Sequence, residues 1–442
     1  EDDGLSSWDR LLKKVEDLAR QAAKEPNVIR RLLPDMMTRG GQNAFAFGRS
    51  LGQALEDADW LLADIETYAC KHGRNSLSLV VLRGLLEGHC EHQPTRVEAF
   101  LNGAMGDGRW AGRLIELQTS VPPSTAGWSR IFTAILEGNE ELANLNYIQN
   151  RPKFSEQSLS IYEQLINALV AAGANGVRHA WLILGEIFHD DDEVASINSM
   201  RLIRISTNLV TKTEWDDRAH RNGLRDYSVG VVLKHLAQGA SISEIREMLA
   251  AILRTAPEND GYIPRDQLKY ASAFFPNNTT EALDAIWEAV GRQERTSLKY
   301  SMDGFGRAPH AFKLKMSTEL LISWCSQSPA ERFPFASEIC DLFEQDEAIG
   351  RLAITDQALS VLNLAPDKQK IIQNYVERFR PSTWSGPLSE ILEPRVELFD
   401  DLKGDPALQE LIADAEQKFR NDIIECRRFD ASREKAEAQS FE

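Results

Sequence analysis

Residues 43–94 read NAFAFGRSLGQALEDADWLLADIETYACKHGRNSLSLVVLRGLLEGHCEHQP, and this stretch decides the fold class. Its apolar residues recur at helical spacing in two successive runs: Phe47, Leu51, Ala54, Leu55 and Ala58, then Leu61, Ile65, Tyr68 and His72. This pattern predicts a helix hairpin. A third helix, opened by Asn75 and closed by Gly88, is apolar nearly all round, so we expect it to pack between neighbours.

The rest of the chain shows the same sequence pattern, which predicts short helices joined by short turns. Capping signals mark three of the helices: Ser124 or Thr125 with Gly138, Ser241 with Glu244, and Asn278 with Glu281. The sequence has no alternating β-branched runs beside hairpin turns, so no strand is predicted. We therefore expect an all-α chain, and within that class an irregular HEAT/armadillo-like helical-repeat solenoid, because no tetratricopeptide consensus is met.

The texture of the sequence changes near residue 300. We expect residues 1–300 to form the helical-repeat array and residues 301–442 to form a C-terminal helical block. Within this block the apolar spacing predicts four helices, over residues 312–324, 334–343, 349–362 and 368–379. The block ends in one long charged helix over residues 406–442.

Composition narrows the class of protein. The chain has 442 residues, of which 43% are hydrophobic and 26% charged, which is typical of a folded protein. Its formal net charge of −17 argues against a nucleic-acid partner, because such binding requires cations that neutralise phosphates. Five irregularly spaced Cys suggest a reducing, cytoplasmic compartment, and no run approaches the ~18 apolar residues of a membrane span. The chain starts at Glu1 without Met, so we expect a fragment of a longer protein, although processing would look the same.

The most basic neighbourhood of the chain surrounds the glycine-rich loop at residues 303–306. Its cations are Lys299, Arg307, His310, Lys313 and Lys315. A loop with two glycines and flanking cations suits an anion or an acidic partner, so these residues are the predicted binding site. The loop follows no predicted strand and lacks the phosphate-loop sequence, so it does not predict a nucleotide site. The alternative is a plain connection between two blocks of helices.

Metal and catalytic sites are not predicted. Cys70 and His72 are separated from the residues 89–92 by a helix that holds the two groups roughly 20 Å apart, so one zinc site cannot use both. Acidic residues at 190–193 and 216–217 fit helix capping and surface ion pairs better than a calcium loop. Because no catalytic triad or nucleophile elbow appears as a local motif, we predict no metal, no cofactor and no enzyme activity.

Several short motifs toward the C-terminus stand out: Arg380-Pro381-Ser382-Thr383-Trp384-Ser385-Gly386, Glu393-Pro394-Arg395 and Gln439-Ser440-Phe441-Glu442. Together with residues 47–55 and 117–128, they resemble the helical-repeat end of large multidomain bacterial proteins of the STAND NTPase and antiphage-defence type. The resemblance implies a non-catalytic region that senses a partner or scaffolds assembly. It also implies an effector or NTPase module upstream of Glu1.

These observations predict a protein-interaction region rather than an enzyme. The expected partner is a protein, either a viral protein or the upstream effector or NTPase module, with no membrane involved. Two alternatives stay open. One is a metal-dependent hydrolase or nuclease that draws ligands from residues 190–193 and 216–217. The other is a purely structural module that forms homo-oligomers through the long C-terminal helix.

Overall fold

Helices dominate the chain, which confirms the all-α prediction at the level of fold class. In this computed structural model, the structure describes residues 6–38, 40–41, 43–72, 76–110, 112–138, 142–147, 156–189, 199–215, 223–254, 263–290, 314, 316–346, 350–381, 384 and 386–440.

Contacts divide the chain into two compact units. The first contains Glu1–Ile205 and Asn222–Ser228, and the second contains Ser206–Arg221 and Val229–Glu442. The predicted boundary near residue 300 falls among residues 291–313, which lie outside the described residues, so it stays a prediction.

Where the structure describes the first unit, it contains short helices and a 3-10 turn at Leu142–Tyr147. Its helices are α1 (Ser7–Ala23), α2 (Pro26–Thr38), α3 (Ala44–Ala54), α4 (Asp59–Lys71), α5 (Val80–Cys90), α6 (Pro94–Ala104), α7 (Leu114–Gln118), α8 (Thr125–Glu137), α9 (Glu156–Ala171) and α10 (Ala174–His189). Two helices contribute residues to both units: α11 (Ser199–Lys212) and α12 (Gly223–Gly239).

The second unit adds helices, 3-10 turns and one small hairpin. Its helices are α13 (Ile242–Ile252), α14 (Arg265–Ala271), α15 (Phe275–Val290), α16 (Thr318–Cys325), α17 (Pro329–Ile339), α18 (Asp356–Leu364), α19 (Lys368–Arg378), α20 (Leu388–Leu392), α21 (Leu398–Leu402) and α22 (Gln409–Ser440). The strands are β1 (Phe343–Asp346) and β2 (Arg351–Ile354), and the 3-10 turns are Ser272–Phe274, Glu393–Glu397 and Pro406–Leu408. The long helix predicted at the C-terminus is thus confirmed as α22.

Two of the three predicted capping signals form as the sequence suggests. Ser124 accepts a hydrogen bond from the Gly127 amide at the start of α8, and Gly138 ends that helix with a φ of 74°. Ser241 and the side chain of residue 244 make the reciprocal bonds of a capping box. The capping box predicted from Asn278 is wrong: its side-chain amide donates to the Ala237 carbonyl at 2.6 Å, because a backbone kink at this residue turns it toward the neighbouring helix.

The prediction that strands are absent is wrong for one segment. Strands β1 and β2 pair antiparallel, with Phe343 opposite Ile354, where the sequence pattern had placed the ends of two helices. Thr355 caps α18 by accepting from the Ala358 amide, so the four residues before it are left extended. Asp401 accepts bonds from the Ile354 amide at 2.9 Å and from Arg351 at 2.6 Å. Distant contacts therefore stabilise a hairpin too short to show a period-two pattern.

The helices that bracket this region also begin and end elsewhere than predicted. Helix α17 ends at Ile339 rather than at residue 343, because Cys340 is already extended. Helix α16 starts at Thr318, where Ser317 accepts from the Leu320 amide, and residues 316 and 317 are not helical. The prediction for residues 368–379 agrees with α19 within one residue.

In both units a helix packs in parallel against the next helix but one. In the first unit, Gly48 of α3 lies against Val81 and Gly52 lies against Leu85, so α3 and α5 run in the same direction, with α4 between them in sequence. In the second unit Asn374 of α19 binds the Pro334 carbonyl of α17. Hydrogen bonds at these two contacts join residues 38 and 42 positions apart in the first unit, and 37 to 41 positions apart in the second.

Helix α5 confirms that a helix apolar nearly all round is buried between neighbours. Val81, Leu82, Leu85 and Leu86 are all buried. Gly88 does not end the helix as predicted, since α5 continues to Cys90. Instead Gly84 and Gly88 face Gly48 and Gly52, and a Cβ on any of the four would lie 2.0–2.3 Å from a carbonyl oxygen of the opposite helix. These glycines are needed for close backbone approach rather than for helix termination.

Candidate binding groove

A groove of about 490 Å³ runs between α13 and α15 in the second unit. This is within the range of ligand pockets in proteins. One wall belongs to α13 and the residues just after it, and the other wall to α15. The lining residues are Arg246, Ala250, Leu253, Arg254, Glu281, Asp284, Ala285, Glu288 and Ala289.

Helical spacing puts these side chains on facing sides of the two helices. On the α13 side, Arg246, Ala250 and Arg254 follow one another at four-residue intervals. The capping box at Ser241 fixes where this helix starts, and therefore which residues face the groove. Glu281 opposes Arg246 at the first lining position of each wall, so α13 and α15 run in the same direction.

The floor of the groove is made of small side chains. Ala250 is exposed, Ala285 half-buried and Ala289 buried, and the buried Leu253 completes the apolar surface. Because alanine side chains are short, the two helices leave room between them for side chains from another molecule. Ile242, one turn before Arg246 on the same face of α13, is 56% exposed and extends the apolar surface beyond the first end.

Charges differ between the two ends of the groove. At the first end, a guanidinium nitrogen of Arg246 lies 3.7 Å from Glu281. Next to it, Asp284 accepts a hydrogen bond from the Trp324 indole at 2.8 Å and lies 3.2 Å from Arg332. Asp284 is therefore held in place by α16 and α17.

The second end of the groove is open. Arg254 donates to the Thr211 carbonyl at 3.0 Å, and this bond leaves the rest of its guanidinium exposed. Glu288 is exposed and makes neither an ion pair nor a hydrogen bond within the described part of the chain. This end therefore offers one cation and one anion to a molecule that enters the groove.

The predicted basic site cannot be placed. Lys299, Arg307, His310, Lys313 and Lys315 all lie outside the described residues, as do the acidic residues at 190–193 and 216–217. The binding site predicted at loop 303–306 therefore stays a prediction.

The Cys and His residues near residues 70 and 90 are spread over different contacts. His72 stacks on Tyr68 with 4.0 Å between ring centroids, and Cys70 receives a bond from Arg109. His92 bonds the Leu55 carbonyl at 3.1 Å, while the His89 ring is buried and meets His92 edge-on. In the part of the chain that the structure describes, no three His, Cys, Asp or Glu side chains converge as metal ligands.

Sequence reasoning missed the groove. Its local signal is the four-residue spacing of Arg246, Ala250 and Arg254, along one face of α13 and just past its end, which is equally typical of an ordinary exposed helix surface. Among the described helices, none is both long and apolar enough to cross a membrane. No protein-family model, curated protein or solved structure matches this chain.

Proposed function

We propose that this chain is a non-catalytic helical-repeat region that binds a polypeptide partner, and that the groove between α13 and α15 is a binding surface. The observation that carries the proposal is the groove itself: an alanine floor, a closed end at Arg246 and Glu281, and an open end at Arg254 and Glu288. A peptide could bind such a surface by placing one apolar side chain over the alanines and by pairing one acidic and one basic side chain with the charges at the open end.

The packing of α3 with α5, and of α17 with α19, supports the proposal that the helices form a repeat array. In each case a helix packs against the next helix but one. In HEAT and armadillo arrays, repeats of about 40–47 residues stack so that equivalent helices lie side by side. The hydrogen bonds of the α3–α5 and α17–α19 contacts join residues 37 to 42 positions apart. On this proposal the chain belongs to that architecture, and its partner is a viral protein or an effector or NTPase module of the same bacterial protein.

The groove specifies the chemistry of the peptide that it would bind. Ala250, Ala285 and Ala289 leave space for one bulky apolar side chain. An acidic side chain would meet Arg254 and a basic one would meet Glu288, because these two groups are exposed at the open end. A segment with only one sign of charge satisfies one of them and leaves the other unpaired.

A displayed library of random peptides tests this proposal and requires no choice of partner. Peptides would be selected on the wild-type chain, synthesised, and titrated against Ala250→Trp, which fills the groove from an exposed position. We expect selected peptides to carry an apolar residue flanked by both charges, and their affinity to fall by about tenfold or more in the variant. Ala413→Trp, at an exposed position of α22, is the matched control and should leave affinity unchanged.

A charge swap sharpens the test. In Arg254→Glu combined with Glu288→Arg, the two charges exchange places, so peptides selected on this variant should carry their acidic and basic residues in the opposite order. The proposal is overturned if no peptide family is enriched, or if enriched peptides bind Ala250→Trp as tightly as the wild type.

A further inference from the structure

Helix α1 leaves three of its large apolar side chains exposed to solvent. Trp8, Leu11 and Leu18 are 44%, 42% and 59% exposed. Only Ala19 and Ala22 of this helix are buried, so α1 packs against the first unit mainly through small side chains. Leu12 and Val15 are half-buried, so Trp8, Leu11 and Leu18 are the large apolar side chains of α1 that remain exposed in the part of the chain that the structure describes.

The three exposed residues form one continuous edge. Leu11 is three residues after Trp8, and Leu18 is seven residues after Leu11, so all three lie on the same side of the helix. At about 1.5 Å per residue this edge is roughly 15 Å long. It has the length of about three helical turns, which suits a partner helix laid alongside it.

Unpaired cations border this edge. Arg10 and Lys14 make no ion pair within the described residues, whereas Asp17 near the same flank is paired with Arg20. Lys14 lies three residues after Leu11 and four before Leu18, so it stands directly beside both leucines. Arg10 lies one turn before Lys14 on the same flank.

We propose that α1 is a docking surface for an amphipathic helix of another protein, one whose apolar stripe is flanked by acidic residues. The apolar edge supplies the buried contact, and Arg10 and Lys14 select acidic flanks by charge complementarity. This surface lies in the first unit and is independent of the groove between α13 and α15.

Two other occupants fit less well. A membrane surface favours helices with a uniformly basic polar face, but α1 also carries Asp9, Glu16 and Asp17, and the whole chain has a net charge of −17. In a twofold pairing with a second copy, Lys14 would lie near the symmetry axis, because it stands midway between the two leucines. It would then face its own symmetry mate, which is unfavourable.

The test uses two synthetic helical peptides with the same leucine stripe, one flanked by glutamates and the other by lysines. Each would be labelled and titrated with the full chain while its fluorescence anisotropy is measured. We expect the acidic peptide to bind at least about tenfold more tightly than the basic one. Arg10→Glu combined with Lys14→Glu should reverse this preference.

Substitution of the apolar edge provides the second arm. Leu11→Gln with Leu18→Gln should weaken the acidic peptide by about tenfold or more. Leu136→Gln, at a leucine of α8 that is 61% exposed, is the matched control and should leave binding unchanged, as should Ala250→Trp in the groove. Since all these side chains are exposed, circular dichroism and thermal unfolding should show the wild-type fold.

Four outcomes would overturn the proposal. They are equal binding of the two peptides, no binding of either, unchanged binding after the double leucine substitution, and binding only to phosphatidylcholine vesicles that contain phosphatidylserine. A dimer that the double leucine substitution abolishes, with neither peptide bound, would assign the edge to self-association instead.

Discussion

Two helix pairs have the same arrangement but different residues at their contact: α3 with α5 in the first unit, and α13 with α15 in the second. Each pair is parallel, and each skips one intervening helix in the sequence. Four glycines let α3 and α5 approach until their backbones touch. Between α13 and α15, alanines and the Arg246–Glu281 ion pair leave about 490 Å³ of open space.

The difference shows that side-chain volume at the crossing decides whether such a pair forms core or surface. Glycine removes the Cβ that would keep the helices apart, so that backbone atoms pack at close-contact density. Alanine and charged residues keep the helices further apart, and the space that results is open to another molecule. The same arrangement of helices therefore yields a rigid support in one unit and a candidate binding groove in the other.

The largest effect is expected from adding a side chain where the glycines of α3 and α5 meet. In Gly88→Ala the new Cβ would lie 2.0 Å from the Arg49 carbonyl oxygen, so α3 and α5 must separate. We expect a loss of about 3 kcal/mol or more in the free energy of unfolding, measured by urea denaturation. Gly103→Ala in α6 is the control, because a Cβ there meets nothing within 4 Å. That variant should be about 0.5 kcal/mol more stable than the wild type.

If Gly88→Ala unfolds at the same urea concentration as the wild type, the close approach of α3 and α5 is not present in solution.

A second large effect on stability is expected at a buried charged residue, Arg130. Arg130 of α8 is 2% exposed, donates to Gln118 at 3.0 Å and to Asn102 at 2.6 Å, and lies 2.7 Å from Glu98. Arg130→Met removes all three contacts and leaves Glu98 without its cation, with only the Ser124 hydroxyl as a hydrogen-bond donor, so we expect a loss of about 3 kcal/mol, measured by urea denaturation. A loss below about 1 kcal/mol would mean that water reaches this cluster as readily as it reaches the groove.

Lowering the pH should destabilise the folded chain through His89, which lies on α5 beside the glycines of α3 and α5. Burial lowers the pKa of His89 below its ordinary value of 6.5, and the charges of His92 and Arg96 act in the same direction. Asp59 opposes the shift, and so does the backbone of Gly52, although neither ring nitrogen has a hydrogen-bond partner within the described residues. The unfolded chain therefore binds the proton more readily than the folded chain, and the free energy of unfolding falls as the pH drops below about 6.5.

The check is a series of urea titrations across this pH range with wild type and His89→Leu. The leucine variant lacks this titration, so its free energy of unfolding should rise relative to that of wild type as the pH falls. Parallel pH profiles for the two proteins would contradict the assignment of this effect to His89.

The smallest effect is expected at the closed end of the groove. Arg246→Ala removes an ion pair of 3.7 Å from a side chain that is 63% exposed, so the free energy of unfolding should change by no more than about 0.5 kcal/mol. Peptides selected on the wild type should keep most of their affinity, because their two charges meet Arg254 and Glu288 at the opposite end of the groove. A stability loss as large as that of Gly88→Ala would show that the groove wall belongs to the core.

Helix periodicity and capping residues predicted much of the local structure. The stripes at residues 47–72 anticipated α3 and α4, and Ser124, Gly138 and Ser241 marked helix ends where the structure has them. These signals work because they act within one or two turns of the chain. Asn278 failed for the opposite reason, since its partner is Ala237 of another helix.

The candidate site was much less predictable. The sequence pointed to the cations around residues 303–306, which lie outside the described residues, and it held no sign of the groove. A groove depends on the distance between two helices, and that distance is set by the residues of both. Hairpin β1–β2 escaped notice for a similar reason, because Asp401 anchors it from about 50 positions further along the chain.

By itself, the sequence determined that this chain is helical, where many of its helices begin and end, and that its C-terminus is one long helix, because these properties depend on local periodicity, capping and charge. Only the tertiary structure decided which glycines bring helices together, that Gly88 lies inside a helix, and that α13 and α15 leave open space between them. Those features arise from contacts between residues 33 to 40 positions apart, whose pairing no local pattern records.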